Sequence, residues 1–176
     1  ALVLAMMEMV INGVSTRKIE SITEELCGKK FSKSTISTLC KNLDPMVNAF
    51  RTRPLKSHYP FLMVDAIYVK VRENKRIQSR GLLIAIGINE EGHREVVGFQ
   101  LANSESENSW GEFFGSLKER GLKDVRVVTS DDHKGLVNAV RKHFQGASWQ
   151  RCQVHVTRNL LALVSQRRRR ELADDL

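Results

Sequence analysis

Two aspartates stand at positions where strands are otherwise apolar. Asp65 is the one charged residue in the stretch 61–69, and Asp131 closes a second largely apolar stretch, 125–131. A carboxylate is costly inside a sheet core unless a positive charge neutralises it. Two of them at strand positions make half of a metal site. Hard divalent cations such as Mg²⁺ or Mn²⁺ take carboxylate oxygens, and Mg²⁺ usually keeps positions open for water and phosphate oxygens. A pair of such ions about 3.5–4 Å apart can activate an attacking oxygen and stabilise a leaving one, which is phosphodiester chemistry. Each residue also has a plainer reading. Asp65 could sit in a structural ion pair, and Asp131 or Asp132 could cap a helix expected over 133–144.

A second set of reactive residues lies downstream. Cys152 and His155 have the spacing of metal ligands. A closed structural zinc site needs four ligands, and no second pair lies nearby, so a structural zinc is not expected. A packed cysteine with a histidine facing the site is the alternative. A nucleophilic Cys152 is a third reading, although no oxyanion-hole glycines stand near it in sequence.

The elements that must position these groups change character along the chain. Up to residue 50 the pattern is helical, with helices expected over 2–12, 16–26 and 33–43. Ser15 and Ser32 serve as N-caps, and Gly13 and Gly28 as stops. Ile19, Ile22 and Leu26 should face inward from the second helix, and Ile36, Leu39 and Leu43 from the third. Asp44-Pro45 should end the third helix. Two short helices joined by a turn resemble a helix-turn-helix, with Lys33, Ser34, Ser37, Thr38 and Lys41 as the DNA-reading face. A helical bundle used for dimer contacts has the same pattern. Residues 51–60, basic and bracketed by Pro54 and Pro60, read as a linker.

From residue 61 the period becomes that of strands. A central strand is expected over 61–71, then a basic turn over 72–80 and a strand over 81–88. A hairpin turn at 89–92 leads to a third strand over 94–101. A helix over 109–120 carries Trp110, Phe113, Phe114 and Leu117 as its apolar stripe. It crosses over to a strand at 125–129 that should run parallel to one already in the sheet. A helix over 133–144, a short strand over 147–150 and a helix over 154–172, with arginines at 167–170, complete the order. The fold class expected is α/β, an RNase H-like mixed sheet flanked by helices behind an N-terminal helical module. If the fourth strand lies beside the first, Asp65 and Asp131 can converge across one strand spacing of about 4.8 Å.

Bulk properties agree with a nucleic-acid partner. The 176 residues carry 28 Lys and Arg against 20 Asp and Glu, a net charge of +8, with a pI of about 9.7. The excess is shared between the parts before and after residue 60. Spread cationic surface rewards phosphate neutralisation, although a basic protein without such a partner has the same balance. Three cysteines, Cys27, Cys40 and Cys152, cannot all pair, which suggests a reducing, cytoplasmic setting. No apolar run approaches the roughly 20 residues of a membrane span. Ala1 is not a start methionine, so the chain reads as a fragment at that end.

At these residues the chain resembles bacterial insertion-sequence transposases of the Mutator type. The matching pieces are Asp65-Ala-Ile-Tyr-Val-Lys-Val-Arg72, Ser130-Asp-Asp-His-Lys-Gly-Leu136, and Trp149-Gln-Arg-Cys-Gln-Val-His155 followed by Arg158-Asn-Leu-Leu161. Upstream, Gly13-Val-Ser-Thr-Arg17 and Phe31-Ser-Lys-Ser-Thr-Ile-Ser37 resemble the family's helix-turn-helix region. The resemblance implies an RNase H-like core with a DDE triad, in which Asp65 is the first carboxylate and Asp131 the second. Cys152 and His155 match a C-x-x-H signature close to the active site. It also implies Mg²⁺ (or Mn²⁺), a double-stranded DNA substrate comprising element terminal repeats and target DNA, oligomeric assembly on DNA, and a bacterial nucleoid setting. The implied division is a DNA-binding module over 1–50, a linker over 51–60, an incomplete core over 61–165, and the start of a helical insertion over 166–176.

Two departures stand out. Asp132 occupies a position where the family commonly has Ala. The third carboxylate, a Glu, should lie beyond the helical insertion, so the sequence looks truncated at its C-terminus, and the chain alone is expected to be inactive. A nuclease or junction resolvase of the same fold, and a non-catalytic DNA-binding remnant, are the rival readings.

Overall fold

A computed structural model describes residues 2–55 and 58–174. The chain forms two compact units, Ala1–Arg53 and Pro54–Leu176.

In the first unit, α1 (Leu2–Ile11), α2 (Thr16–Cys27) and α3 (Lys33–Cys40) pack around Met6, Ile19 and Ile36, all fully buried. The serine caps form as their chemistry requires. Ser15 accepts from the Lys18 N–H and Ser32 from the Thr35 N–H, each satisfying an amide with no partner inside the helix. Gly28 ends α2 with φ 63°, a left-handed conformation that glycine adopts at little cost. Two expectations fail here. Leu26 is exposed, because it lies in the last turn of α2, beyond the buried cluster. Thr23 is buried instead, its hydroxyl donating to the Ile19 carbonyl. Asp44-Pro45 also does not end the helical region. A 3₁₀ turn, Lys41–Leu43, leads into α4 (Asp44–Thr52), and Pro45 sits in its first turn, where a missing N–H costs nothing. Helix thus runs two residues into the stretch read as linker.

The second unit is a five-stranded mixed sheet of order β3-β2-β1-β4-β5. Its strands are β1 (Phe61–Glu73), β2 (Arg76–Ile88), β3 (Arg94–Ala102), β4 (Val127–Ser130) and β5 (Ser148–Arg151). β1 is central, antiparallel to β2 and parallel to β4. The basic segment 72–80 is not a broad turn. β1 and β2 continue through it as a ribbon closed by Asn74 and Lys75, whose φ values are 48° and 63°. Positive φ at both central residues is the primed turn that matches the right-handed twist of a hairpin.

Helices α5 (Glu107–Glu119) and α6 (Lys134–His143) cover one face of the sheet. Trp110, Phe113, Phe114 and Leu117 of α5 join Leu136 and Val140 of α6 in one core with Leu62, Val64, Leu83, Ala85, Val97 and Val128. The strand contributors alternate, as a period of two demands. Each large side chain buried there contributes roughly 1.5–3 kcal/mol. The expected helix over 154–172 is broken. α7 (Gln153–Ala162) and α8 (Arg169–Asp174) are separated at 163–168, where Val164 and Ser165 favour helix weakly and the arginine run crowds like charge. No described helix is long and apolar enough to cross a membrane.

Candidate metal centre at the strand ends

The parallel ladder between β1 and β4 matches Phe61 with Val127, Leu62 with Val128 and Met63 with Thr129. Two residues past that last pair come Asp65 on β1 and Asp131 just after β4. Both lie just past the ladder's carboxyl end, where sites gather in sheets with parallel strands. Asp65 is exposed, not enclosed in the sheet core, because β4 stops pairing at Met63 and leaves that edge of β1 open. Its charge therefore carries less desolvation cost than an all-apolar strand suggests. Asp65 Oδ1 accepts from the Ala66 N–H at 2.9 Å, and Asp131 Oδ1 from the His133 N–H at 3.2 Å. Among the described residues neither carboxylate forms an ion pair.

The helix-cap reading of Asp131 and Asp132 is corrected. His133 is the N-cap residue of α6 and makes no side-chain cap hydrogen bond. Asp131 instead closes a short turn onto the His133 amide. Asp132, exposed, lies 3.7 Å from Arg151 of β5.

The end of β4 is held from three sides. Ser130 is fully buried, and its hydroxyl accepts from the Trp149 indole N–H at 2.9 Å and donates to the Asp131 carbonyl at 2.7 Å. The Cys152 N–H donates to the Ser130 carbonyl at 2.6 Å. The backbone that presents Asp131 is thereby tied to β5 and to the start of α7.

Cys152 is the N-cap residue of α7, and His155 lies in its first turn. With Asp65, Met63, Ile84, Ile86 and Thr129 they line a cavity of about 150 Å³. These residues sit on the sheet face opposite α5 and α6. His155 Nδ1 is buried there without a hydrogen-bond partner. The structure thus brings Asp65, Cys152 and His155 to one cavity, while Asp131 follows the end of the neighbouring strand β4 and does not line that cavity among the described residues.

The fit to a divalent cation rests on the donors. Two carboxylates free of ion pairs, each just past the carboxyl end of the β1–β4 ladder, offer the hard oxygens that Mg²⁺ or Mn²⁺ prefers, and Mg²⁺ is commonly held by one or two carboxylates. Among the described residues no group of three or more His, Cys, Asp or Glu side chains could hold a metal. Any ion there would depend on these two carboxylates and on groups from outside.

Glu105 was not singled out from the sequence. Its side chain is 9% exposed, accepts from the Trp110 indole N–H at 3.2 Å, and lies 3.6 Å from His133 Nδ1. A Glu in the loop after β3 carries no local pattern that would flag it. Ser130 and Trp149 carry no mark in the sequence beyond the motifs that contain them, and their hydrogen bond needs the β4–β5 pairing to exist.

Lys33, Ser34, Ser37 and Thr38 are exposed on α3, and Lys41, also exposed, opens the 3₁₀ turn. Ser34 also shares a 2.7 Å hydrogen bond with the capping hydroxyl of Ser32.

A larger open basin of about 610 Å³ lies at the other end of β4, lined by Lys118, Lys123, Lys142 and His143. Burial holds His143 below its ordinary value, and Lys118 and Lys142 lower it further. This basin is remote from the two carboxylates.

A sequence model of the family described as "Transposase, Mutator family" matches residues 1–176. The chain is 51% identical over 168 residues to the transposase for insertion sequence element IS256 in transposon Tn4001 of Staphylococcus aureus, covering 95% of this chain and 43% of that protein. It is 48% identical over 161 residues to the transposase for insertion sequence element ISRM5 of Rhizobium meliloti, covering 92% and 40%. The chain thus spans less than half the length of these relatives. Among solved structures, the Drosophila P element transposase strand transfer complex superposes with a TM-score of 0.52 at 12% identity, covering 92% of this chain and 42% of that one. That likeness concerns the fold, which is RNase H-like.

Proposed function

The chain belongs to the Mutator family of transposases, and from that premise we propose that it forms the N-terminal and central part of an enzyme that cuts and joins DNA at the ends of an insertion element. The observation that carries this reading is the pair Asp65 and Asp131, each two residues past the last pair of the parallel β1–β4 ladder and free of ion pairs among the described residues.

In this reading Asp65 and Asp131 hold Mg²⁺ or Mn²⁺. When bound, the cation supplies positive charge beside a phosphodiester at neutral pH. The chain's own residues do the rest of the placing. Ser130, Trp149 and the Cys152 amide hold the Asp131 backbone in position. Met63, Ile84 and Ile86 make the wall behind Asp65 apolar and limit water there. His155 Nδ1 is available to a hydrogen-bonding group that enters the cavity. Water attacks the phosphodiester at the element end and the bond to the 3′ oxygen breaks; the freed 3′ hydroxyl then attacks a target phosphodiester, whose own bond to its 3′ oxygen breaks and releases a target 3′ hydroxyl. A third acidic ligand, which the resemblance places after the helix carrying the C-x-x-H signature, would come from the longer protein. α3 would read duplex DNA through Ser34, Ser37 and Thr38, with Lys33 and Lys41 on phosphates, and the protein would assemble as an oligomer on its DNA.

The test uses the full-length protein with terminal-repeat duplex and Mg²⁺. Cleavage at the element end and joined products, both lost in Asp65→Asn and Asp131→Asn, are expected. Cleavage without joining would favour a nuclease. DNA binding without either reaction would favour a non-catalytic remnant.

A further inference from the structure

Strands β1 and β2 run well past the sheet that contains them. β4 pairs with β1 only from Phe61 to Met63, and β3 pairs with β2 only from Gly81 to Ile88. From the Val69–Arg80 pair to the Glu73–Arg76 pair the two strands have only each other. They form a ribbon reaching about 17 Å beyond the last flanked pair, Tyr68 with Gly81. A two-stranded hairpin alone in water is marginally stable.

The ribbon is strongly cationic. Residues 69–80 contain Lys70, Arg72, Lys75, Arg76 and Arg80 against the single acid Glu73. Glu73 pairs with Arg80. Lys70, Arg72, Lys75 and Arg76 are exposed and form no ion pair among the described residues. Strand alternation places them on more than one side. Lys70 and Arg72 fall on one face, Arg76 on the other, which is also the face of Asp65, and Lys75 is at the tip. Cations on both faces suit a ribbon lying between two phosphate backbones, and a two-stranded ribbon fits the major groove of duplex DNA. The tip adds an independent sign. Lys75 has φ 63°, where the usual turn residue is glycine. A lysine there carries a backbone conformation that L residues other than glycine and asparagine seldom adopt. The ribbon also continues the strand that carries Asp65 and begins about 13 Å beyond it along that strand, so one duplex can span both.

We propose that the β1–β2 ribbon is a second DNA-binding element, a basic arm that enters a groove of the duplex beside the phosphodiester presented to Asp65. It acts through phosphates and not through base sequence. This inference rests on the proposed DNA chemistry of the site.

The test measures duplex affinity of the 176-residue chain against salt concentration, using a terminal-repeat duplex and an unrelated duplex of equal length. The wild type is compared with Lys70→Gln/Arg72→Gln/Lys75→Gln/Arg76→Gln, and with Lys70→Arg/Arg72→Lys/Lys75→Arg/Arg76→Lys, which keeps every charge. Melting curves confirm that both variants fold. The expected result is a loss of at least about tenfold at 0.1 M salt and a salt slope shallower by about two to three for the neutral variant. The loss should be equal on both duplexes, and the charge-keeping variant should bind as wild type. Wild-type affinity and slope in the neutral variant would overturn the arm while leaving the proposed function standing. A change in sedimentation without a change in DNA affinity would reassign the ribbon to contacts between copies of the chain. No wild-type binding to either duplex at low salt would overturn the proposed function and the arm together.

Discussion

Asp65 and Asp131 each lie two residues past Met63 and Thr129, the last pair of the parallel β1–β4 ladder. A register slipped by one residue would turn one carboxylate to the opposite face.

The pair is expected to bind Mn²⁺ or Mg²⁺ jointly. Titration calorimetry on the 176-residue chain should show weak binding that drops at least about tenfold in either Asp65→Asn or Asp131→Asn, since each removes one of two charged ligands. Equal binding by all three proteins would rule out a shared site.

The 176-residue chain is expected not to cleave terminal-repeat DNA on its own. Among the described residues no group of three or more His, Cys, Asp or Glu side chains could hold a metal, and in-line displacement needs the attacking and leaving oxygens held together. Robust Mg²⁺-dependent cleavage by this chain, abolished by Asp65→Asn, would show that a nearby acid such as Asp132 or Glu105 completes the site.

On α3, changing Ser34 and Thr38 to Ala should lower the preference for terminal-repeat over unrelated duplex. Changing Lys41 to Ala should weaken both alike and reduce the salt slope by about one. Both serine and threonine are exposed, so stability should change little. If neither substitution alters DNA binding, α3 belongs to an oligomerisation bundle.

His143 should make the second unit less stable in mild acid. Its folded pKa lies below 6.5 because of burial and the neighbouring Lys118 and Lys142. The unfolded chain therefore takes up the proton more readily than the folded one. The stability tied to the neutral ring is complete above pH 6.5 and declines as pH falls through the lower folded value. Thermal melting from pH 7.5 to 5 should show a shallower decline for His143→Gln than for wild type. Parallel curves would contradict the assignment.

Gly135→Ala should destabilise the second unit by about 1–3 kcal/mol. A Cβ at Gly135 would lie 2.8 Å from the Glu107 backbone nitrogen, and backbone cannot step aside as a flexible side chain can. Chemical denaturation would read the change directly. A variant as stable as wild type would mean that α6 can move away from the start of α5 at little cost.

Much of the chain's local structure follows from nearest neighbours along the sequence. Ser15 and Ser32 cap their helices because a hydroxyl three residues before a free amide is sufficient chemistry. Trp110, Phe113, Phe114 and Leu117 form one stripe because helical period alone puts them on one side. The sequence of strand and helix types, and a parallel fourth strand, were legible for the same reason. What the tertiary structure decided depends on where partners stop. Asp65 is exposed because β4 ends its pairing at Met63, and the segment 72–80 is a ribbon because two strands joined by a two-residue turn pair residue by residue. Leu26 is left in solvent because the buried cluster ends before it reaches that turn. Glu105 comes beside His133, and Trp149 onto Ser130, only once separate elements meet. Periodicity records which face a residue takes on its own element. Where a neighbouring element ends is set by the packing of the whole unit, and no local pattern records it.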